Sequence, residues 1–375
     1  MTVPTTAAVE AELAGVMDPE IKRPITEMGM VREVQVHDDG RVVVGIDLTT
    51  KGCPLKDTIA ADVRDAVSKL DGVSAVEVQM GEMNEEQKKA LRQKLRGGAP
   101  ELEIPFTKPG NLTRIYAVTS GKGGVGKSSI TANLAAAMAD QGLKVGVVDA
   151  DIYGFSIPRM LGVDHVPTKL DDMIVPPIAH GVKVISIGMF VPENAAVVWR
   201  GPMLHRAVQQ FLADVYWGDL DVLLLDLPPG TGDVAISVGQ LLPNAEIVVV
   251  TTPQIAAAEV AERAGSIAGQ TRQRVVGVVE NMSWLEQGDG SKLEIFGSGG
   301  GKAVADRLTN LLGYEVSLRA QVPLDPQLRE GGDEGTPIVI AAPDSTAGAT
   351  LRELAHALGH RARGLAGRSL GLSPT

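Results

Sequence analysis

The chain has 375 residues, 44% of them hydrophobic, enough for two domains or for one large domain with an appendage. Aromatics make up only 3% while glycine is abundant (43), which suits tightly packed strands and helices better than an aromatic binding face. The formal charge of −11 works against nonspecific nucleic-acid binding, which needs a positive patch, and the single cysteine, Cys53, excludes an intramolecular disulfide.

The segment MTVPTTAAVEAEL lacks a basic stretch followed by an apolar one, and no run reaches the length of a membrane span. A cytoplasmic protein without membrane contact is expected. Ala7 to Val16 reads as a helix, and MVREVQVHDDGRVVVGIDLTT alternates about a turn at Asp39 and Gly40, the pattern of a hairpin. Ile59, Val63, Ala66, Val67 and Leu70 then recur at helical spacing, and Val73 to Met80 returns to strand. Together these elements predict a small α+β domain over residues 1–90. Its MDPE segment and KGCPLKD turn resemble the small domain of iron–sulfur assembly factors of the SufT type. Cys53 stands just before a helix, whose N-terminus favours the thiolate, so it is either a candidate iron–sulfur ligand or an inert, partly buried thiol.

Asn84 to Arg96 is charged and helical, and GGAPELEIPFTKPGN breaks it with Gly97, Gly98, Pro100, Pro105 and Pro109. A linker is expected over residues 91–112, followed by a larger domain over 113–363 and a flexible tail over 364–375. In the larger domain Ile115 to Thr119, Val145 to Asp149, Val182 to Ile187, Val222 to Asp226, Ile247 to Thr251 and Val275 to Glu280 are apolar runs separated by helical segments. Strands that are apolar throughout are buried on both faces, which predicts a doubly wound, mostly parallel α/β sheet. Ligands of such sheets bind beyond the carboxyl ends of the strands.

The first of those ends carries VTSGKGGVGKSS, Val118 to Ser129. Gly121, Gly126, Lys127 and Ser128 fit the phosphate-loop spacing, in which glycines let the backbone aim several amide N–H groups at one anion and the following helix N-terminus adds positive potential. Candidate nucleotide contacts are Gly121, Lys122, Gly123, Gly124, Val125, Gly126, Lys127, Ser128 and Ser129. Lys127 can reach the β- and γ-phosphates of ATP, and the Ser128 hydroxyl can ligate Mg²⁺. Lys122 lies inside the loop, giving GKGGVGK, which resembles the deviant phosphate loop of the MinD/ParA class. That resemblance implies that Lys122 reaches the nucleotide of the opposite subunit of a homodimer; the alternative is a solvated loop lysine.

The second strand end reads VVDADIYG. Asp149 or Asp151 there could hold Mg²⁺ or orient the attacking water, and the MinD/ParA likeness makes Asp151, with Lys122 and Lys127, a candidate catalytic residue. WGDLDVLLLDLPPGTGD follows, in which Asp226 closes an apolar strand as a Walker-B carboxylate does, so Ser128, Asp149 and Asp226 are the candidate Mg²⁺ ligands. This stretch matches the signature of the Mrp/ApbC family of iron–sulfur cluster carrier ATPases. With the small N-terminal domain, that resemblance covers nearly the whole chain and implies ATP hydrolysis, a homodimer and apoprotein clients. VVENMS and QVPLDP place Asn281, Pro323 and Asp325 beyond later strands, where related ATPases contact adenine. The family likeness also implies a pair of cysteines two residues apart shortly after NMS, four thiolates per dimer for one [4Fe–4S] cluster. Here that region reads NMSWLEQGDGSKLEIFGSGGG and holds none. Either no cluster of that type is carried, or Cys53 and outside ligands hold it. The alternative reading is a MinD/ParA-like ATP switch that recruits a protein or surface partner without a cluster.

Overall fold

The structure, a computed structural model, describes residues 3–49, 55–96, 103–151, 154–171, 173–190, 201–230, 232–254 and 258–360. The chain divides into two compact units. The first comprises Met1–Glu103 together with two later segments, His165–Pro177 and Asp214–Gly218, which the sequence reading assigned to the larger domain; the second takes the remainder from Ile104.

In the first unit, helix α1 (Thr6–Leu13) begins where the Thr5 side chain accepts the Ala8 N–H, the ordinary N-cap arrangement. Strands β1 (Val31–Val36) and β2 (Arg41–Leu48) form the expected hairpin, turned by Gly40 at φ +81° and by Asp39 Oδ1 accepting the Arg41 N–H. Helix α2 (Lys56–Val67) returns the chain so that β3 (Ala75–Glu82) pairs with β2 in parallel, and α3 (Glu85–Arg96) follows. β2 lies between β1 and β3 and is buried over seven of its eight residues, against the alternating pattern of a strand with one wet face. Leu13, Ile25, Val42, Val44, Ile46, Ile59 and Val63 form the core, and Leu170, Met173, Val175 and Tyr216 from the two later segments pack into it. Met173 and Val175 belong to a hairpin strand, Met173–Val175, paired with Thr168–Leu170.

The second unit is built on β4 (Arg114–Ser120), α4 (Lys127–Asp140), β5 (Val145–Asp149), the short α5 (Ile157–Met160), β6 (Ile178–Ala179) and β7 (Val182–Ser186). It continues with α6 (Gly201–Asp214), β8 (Val222–Asp226), α7 (Asp233–Leu241), β9 (Glu246–Thr251), α8 (Ala258–Thr271) and β10 (Val275–Glu286). β11 (Lys292–Leu293), α9 (Gly300–Leu312), β12 (Leu318–Leu324), α10 (Pro326–Glu334), α11 (Ile338–Ala341) and α12 (Thr346–Gly359) complete it. The strands form one nine-stranded sheet in the order β11-β10-β9-β4-β8-β5-β7-β6, with β12 also paired to β10. Every pair from β12 through to β7 is parallel, and only the outer β6 and β11 run against their neighbours. The doubly wound fold is as the apolar runs predict, and all six predicted strands are present.

From β4 the chain moves to β5 on one side and returns later to β9 on the other, so the strand order reverses beside β4. A crevice opens at such a reversal, outside the carboxyl ends of the strands. The loop from Gly121 to Gly126 leaves β4 there. α4 behind it carries Ile130, Leu134 and Met138, each wholly buried, so the helix that begins at the loop is fixed along its length.

Candidate nucleotide site

The loop between β4 and α4 depends on two left-handed glycines, Gly124 at φ +76° and Gly126 at φ +80°. Gly126 is also spatially constrained, because a Cβ there would run into the amide nitrogen of Asn281. That nitrogen donates to Val125 O at 2.9 Å, so Asn281 braces the loop from within β10 and does not lie beyond it as the apolar run suggests. Its Oδ1 is buried without a hydrogen-bond partner, and the bond to Val125 O fixes which end of the amide is the oxygen. A buried acceptor left open in this way marks a place where a donor belongs.

Lys127, the first residue of α4, is 6% exposed, and its Nζ lies 2.7 Å from Asp226 Oδ2 and 3.7 Å from Asp151 Oδ2. Ser128 Oγ donates to the same Asp226 oxygen at 2.6 Å, while Thr131 Oγ1 donates to the other at 2.9 Å. Three strand ends therefore converge on one point: β4 through the loop, β8 through Asp226 and β5 through Asp149 and Asp151. Parallel register aligns them, since Asp226 stands opposite both Val118 of β4 and Asp149 of β5.

Asp149 is fully buried. Its Oδ2 accepts the N–H groups of Ser156 and Ile157 at 3.0 and 3.2 Å and the Ser186 hydroxyl at 3.2 Å, and its Oδ1 accepts the Asp151 N–H at 3.2 Å. Burial, followed by the neighbouring Asp226 carboxylate, pushes its pKa up to about 7. Asp149 thus fastens the segment after β5 while standing beside Asp226 on the neighbouring strand.

Lys122 finds its partner outside this cluster. Lys122 Nζ donates to Gln254 Oε1 at 2.6 Å, on the exposed side of the loop. Pro323 and Asp325 line a cleft of about 330 Å³ with Leu285, Glu286, Leu324, Pro326, Gln327, Ser345 and Thr346. Asp325 also has a structural duty, accepting the Gln327 N–H at 2.9 Å as the N-cap of α10. Ser129 sits in the first turn of α4, and its carbonyl accepts from Asn133 Nδ2. Cys53 lies outside the described residues.

Thr131 and Ser186 hold the two central carboxylates and were not singled out by sequence. Thr131 lies four residues after Lys127, hence on the same helix face. Ser186 ends β7 next to Asp149 in register. The stretch where the family likeness implies a cysteine pair forms instead the β10–β11 hairpin, with Glu286 opposite Lys292 and Gln287 N donating to Ser291 O. Among the described residues, no group of three or more His, Cys, Asp or Glu is arranged to hold a metal ion. Likewise, no helix among them is long and apolar enough to cross a membrane.

Residues 111–359 match the family of NUBPL iron-transfer P-loop NTPases, a span that contains the whole cluster just described. The chain belongs to this family. Residues 6–80 match a second family, described as iron–sulfur cluster assembly protein. The iron–sulfur cluster carrier protein of Mycobacterium tuberculosis is 62% identical over 98% of this chain and 97% of its own length. That of Synechocystis is 38% identical over 94% and 96%. Among solved structures, a nucleotide-binding protein from Archaeoglobus fulgidus in complex with ADP is 37% identical, with a TM-score of 0.51 over 60% of this chain and 86% of that one. The chain is therefore a nucleotide-binding P-loop NTPase, as its GKGGVGKSS loop leads one to expect.

Proposed function

We propose that the chain is an ATP-hydrolysing protein that assembles iron–sulfur clusters or transfers them to apoproteins, working in the cytoplasm as a nucleotide-dependent homodimer. The observation that carries the ATPase reading is the convergence of Ser128, Asp151 and Asp226 on Lys127, within hydrogen-bond or ion-pair reach, at a glycine loop. The donor set suits Mg²⁺, because the Ser128 hydroxyl and the Asp226 carboxylate, with Asp149 beside it, are hard oxygens of the kind that ion prefers. When bound, Mg²⁺ supplies charge that offsets the phosphates. Lys127 then exchanges its carboxylate partners for β- and γ-phosphate oxygens, and the loop amides from Gly121 to Ser129 take the rest of the polyanion. Asp151 orients the attacking water, and Lys122 acts on the nucleotide of the partner subunit.

Asn281 Oδ1 is the natural acceptor for the exocyclic amine of adenine, a position where guanine carries a carbonyl that cannot donate. Pro323 and Asp325, which line a cleft of about 330 Å³, are the further candidate contacts of the base.

The cluster is cargo. The full-length relatives named as iron–sulfur cluster carriers support that reading, as does the match of residues 6–80. Cys53 is the one cysteine in the chain, so a dimer offers two thiolates where a [4Fe–4S] cluster usually takes four, and glutathione or a client completes the set. Anaerobic reconstitution with iron and sulfide, followed by absorbance and iron counting, tests this. Substoichiometric iron is expected, lost in Cys53→Ser while ATP hydrolysis persists. A full cluster that survives Cys53→Ser would overturn the thiolate assignment, and failure to form any cluster would leave only the ATPase.

A further inference from the structure

Lys122 is tied at three points although its side chain lies on the outside of the loop. The carbonyl before it, Gly121 O, accepts from Arg263 Nη1 of α8 at 2.7 Å. Its own carbonyl accepts from Ser120 Oγ at 3.0 Å, and its Nζ donates to Gln254 Oε1 at 2.6 Å. Gln254 and Arg263 both follow β9. The backbone leading to Gln254 is firmly seated, since Pro253 O accepts the Gly300 N–H at 3.1 Å and a Cβ on Gly300 would strike Thr252 and Pro253.

A lysine flanked by glycines has a flexible stem on a flexible backbone, and aiming its ammonium at one point requires restraint on both. A guanidinium bonded to the carbonyl that opens the loop fixes the peptide plane from which the Lys122 Cα departs. The bond bypasses Lys127, Ser128 and Asp226. It is therefore suited to set the direction of Lys122 without altering the grip on the bound nucleotide.

We propose that Arg263 is a positioning residue for ATP hydrolysis, acting through Lys122, with Gln254 as the second hold on the same side chain. The proposal rests on the reading of Lys122 as the lysine that serves hydrolysis in the dimer.

The test is a mutant cycle on the full-length chain, with ATP turnover and ADP affinity measured for each variant. Arg263→Ala should keep ADP affinity within about twofold while kcat falls about 10- to 100-fold, the scale expected when a reacting group is misplaced. Arg263→Lys, which keeps a cationic donor, should recover part of that loss. The double variant Lys122→Ala/Arg263→Ala should be no slower than Lys122→Ala alone, because a residue acting only through Lys122 has nothing left to position. Gln254→Ala, tested in the same cycle, should lose less than Arg263→Ala and be equally silent in the Lys122→Ala background.

A wild-type rate for Arg263→Ala beside a slow Lys122→Ala overturns this proposal alone. Loss of ADP affinity in step with kcat, or a double variant slowed by the product of the two single effects, also overturns it and makes Arg263 a general support of the loop. A wild-type rate in Lys122→Ala overturns the reading on which the proposal rests.

Discussion

Lys127 is the counter-charge for Asp226, which is buried outright, and for Asp151, which is 8% exposed. Removing it leaves the buried Asp226 carboxylate without its cation in a dry site, so Lys127→Ala should lose tight nucleotide binding and about 3–5 kcal/mol of stability, read by calorimetric titration and thermal melting. Wild-type nucleotide affinity would sink the assignment. Asp151→Asn keeps the size of the side chain but loses its anionic acceptor; it should bind ATP and hydrolyse it slowly, so that dimers accumulate in sizing experiments with ATP. Asp149 gives a pH signature. Its folded pKa of about 7 lies above the ordinary carboxyl value of 3.8, because burial and the Asp226 carboxylate penalise its ionised form, so the chain is most stable below pH 3.8, where Asp149 is neutral, and loses stability as pH rises towards 7. Without Mg²⁺, the chain should lose on the order of a few kcal/mol from this residue across that window, and Asp149→Asn should flatten the slope of a melting series against pH. The lysines, the glycines and the strand-end carboxylates were legible in the sequence because their chemistry is tied to spacing. Thr131 and Ser186 were not, since a hydroxyl one helical turn onward or at a strand end is common everywhere. Arg263 was hidden for another reason: it reaches the loop from a helix 142 residues away in sequence.

Apolar runs announced the buried parallel strands, and the structure adds only what such runs cannot signal. β10 continues past its apolar core to Glu286, and the added residues pair in turn with β12 and the two-residue β11. Their sequence, NMSWLE, has no uniform apolar character, which is why the apolar run ends at Glu280. The hairpin Thr168–Leu170/Met173–Val175 escaped because strands of three residues are too short for alternation to register. Two element junctions give testable consequences. Gly126→Ala meets both a left-handed φ and the Asn281 amide, so it should abolish nucleotide binding while leaving the rest of the sheet folded, as judged by titration and far-UV circular dichroism. One residue before Asn281 in β10, the buried Glu280 carboxylate accepts from Ser283, Gln321 and the Gly301 N–H at the start of α9. Glu280→Gln would set an NH₂ group against one of these donors, and the expected loss is about 1–3 kcal/mol in a denaturant titration. An unchanged midpoint would show that the Glu280 bonds add nothing to the anchoring of α9.

The chain as a whole is two units, and the first is not contiguous. Leu170, Met173, Val175 and Tyr216 fill its core from segments that the sequence reading gave to the larger domain. Nothing in their local pattern distinguishes them from strands of the parallel sheet, because which core a short apolar segment joins is decided by tertiary packing. A fragment of residues 1–103 should therefore melt below the first unit of the intact chain, or without cooperativity, when followed by circular dichroism; a cooperative melt at the intact temperature would mean that the later segments add nothing. The same arrangement bears on synthesis. Domains generally fold as units and in order as the chain emerges, the N-terminal one first. Here the first unit cannot complete its core until Gly218 has left the ribosome, by which time β4, the phosphate loop, α4 and β5 have already emerged. The nascent N-terminal unit must wait, with apolar surface open, while the first strands of its neighbour form, which makes this interval of translation the one in which a chaperone has the most to hold.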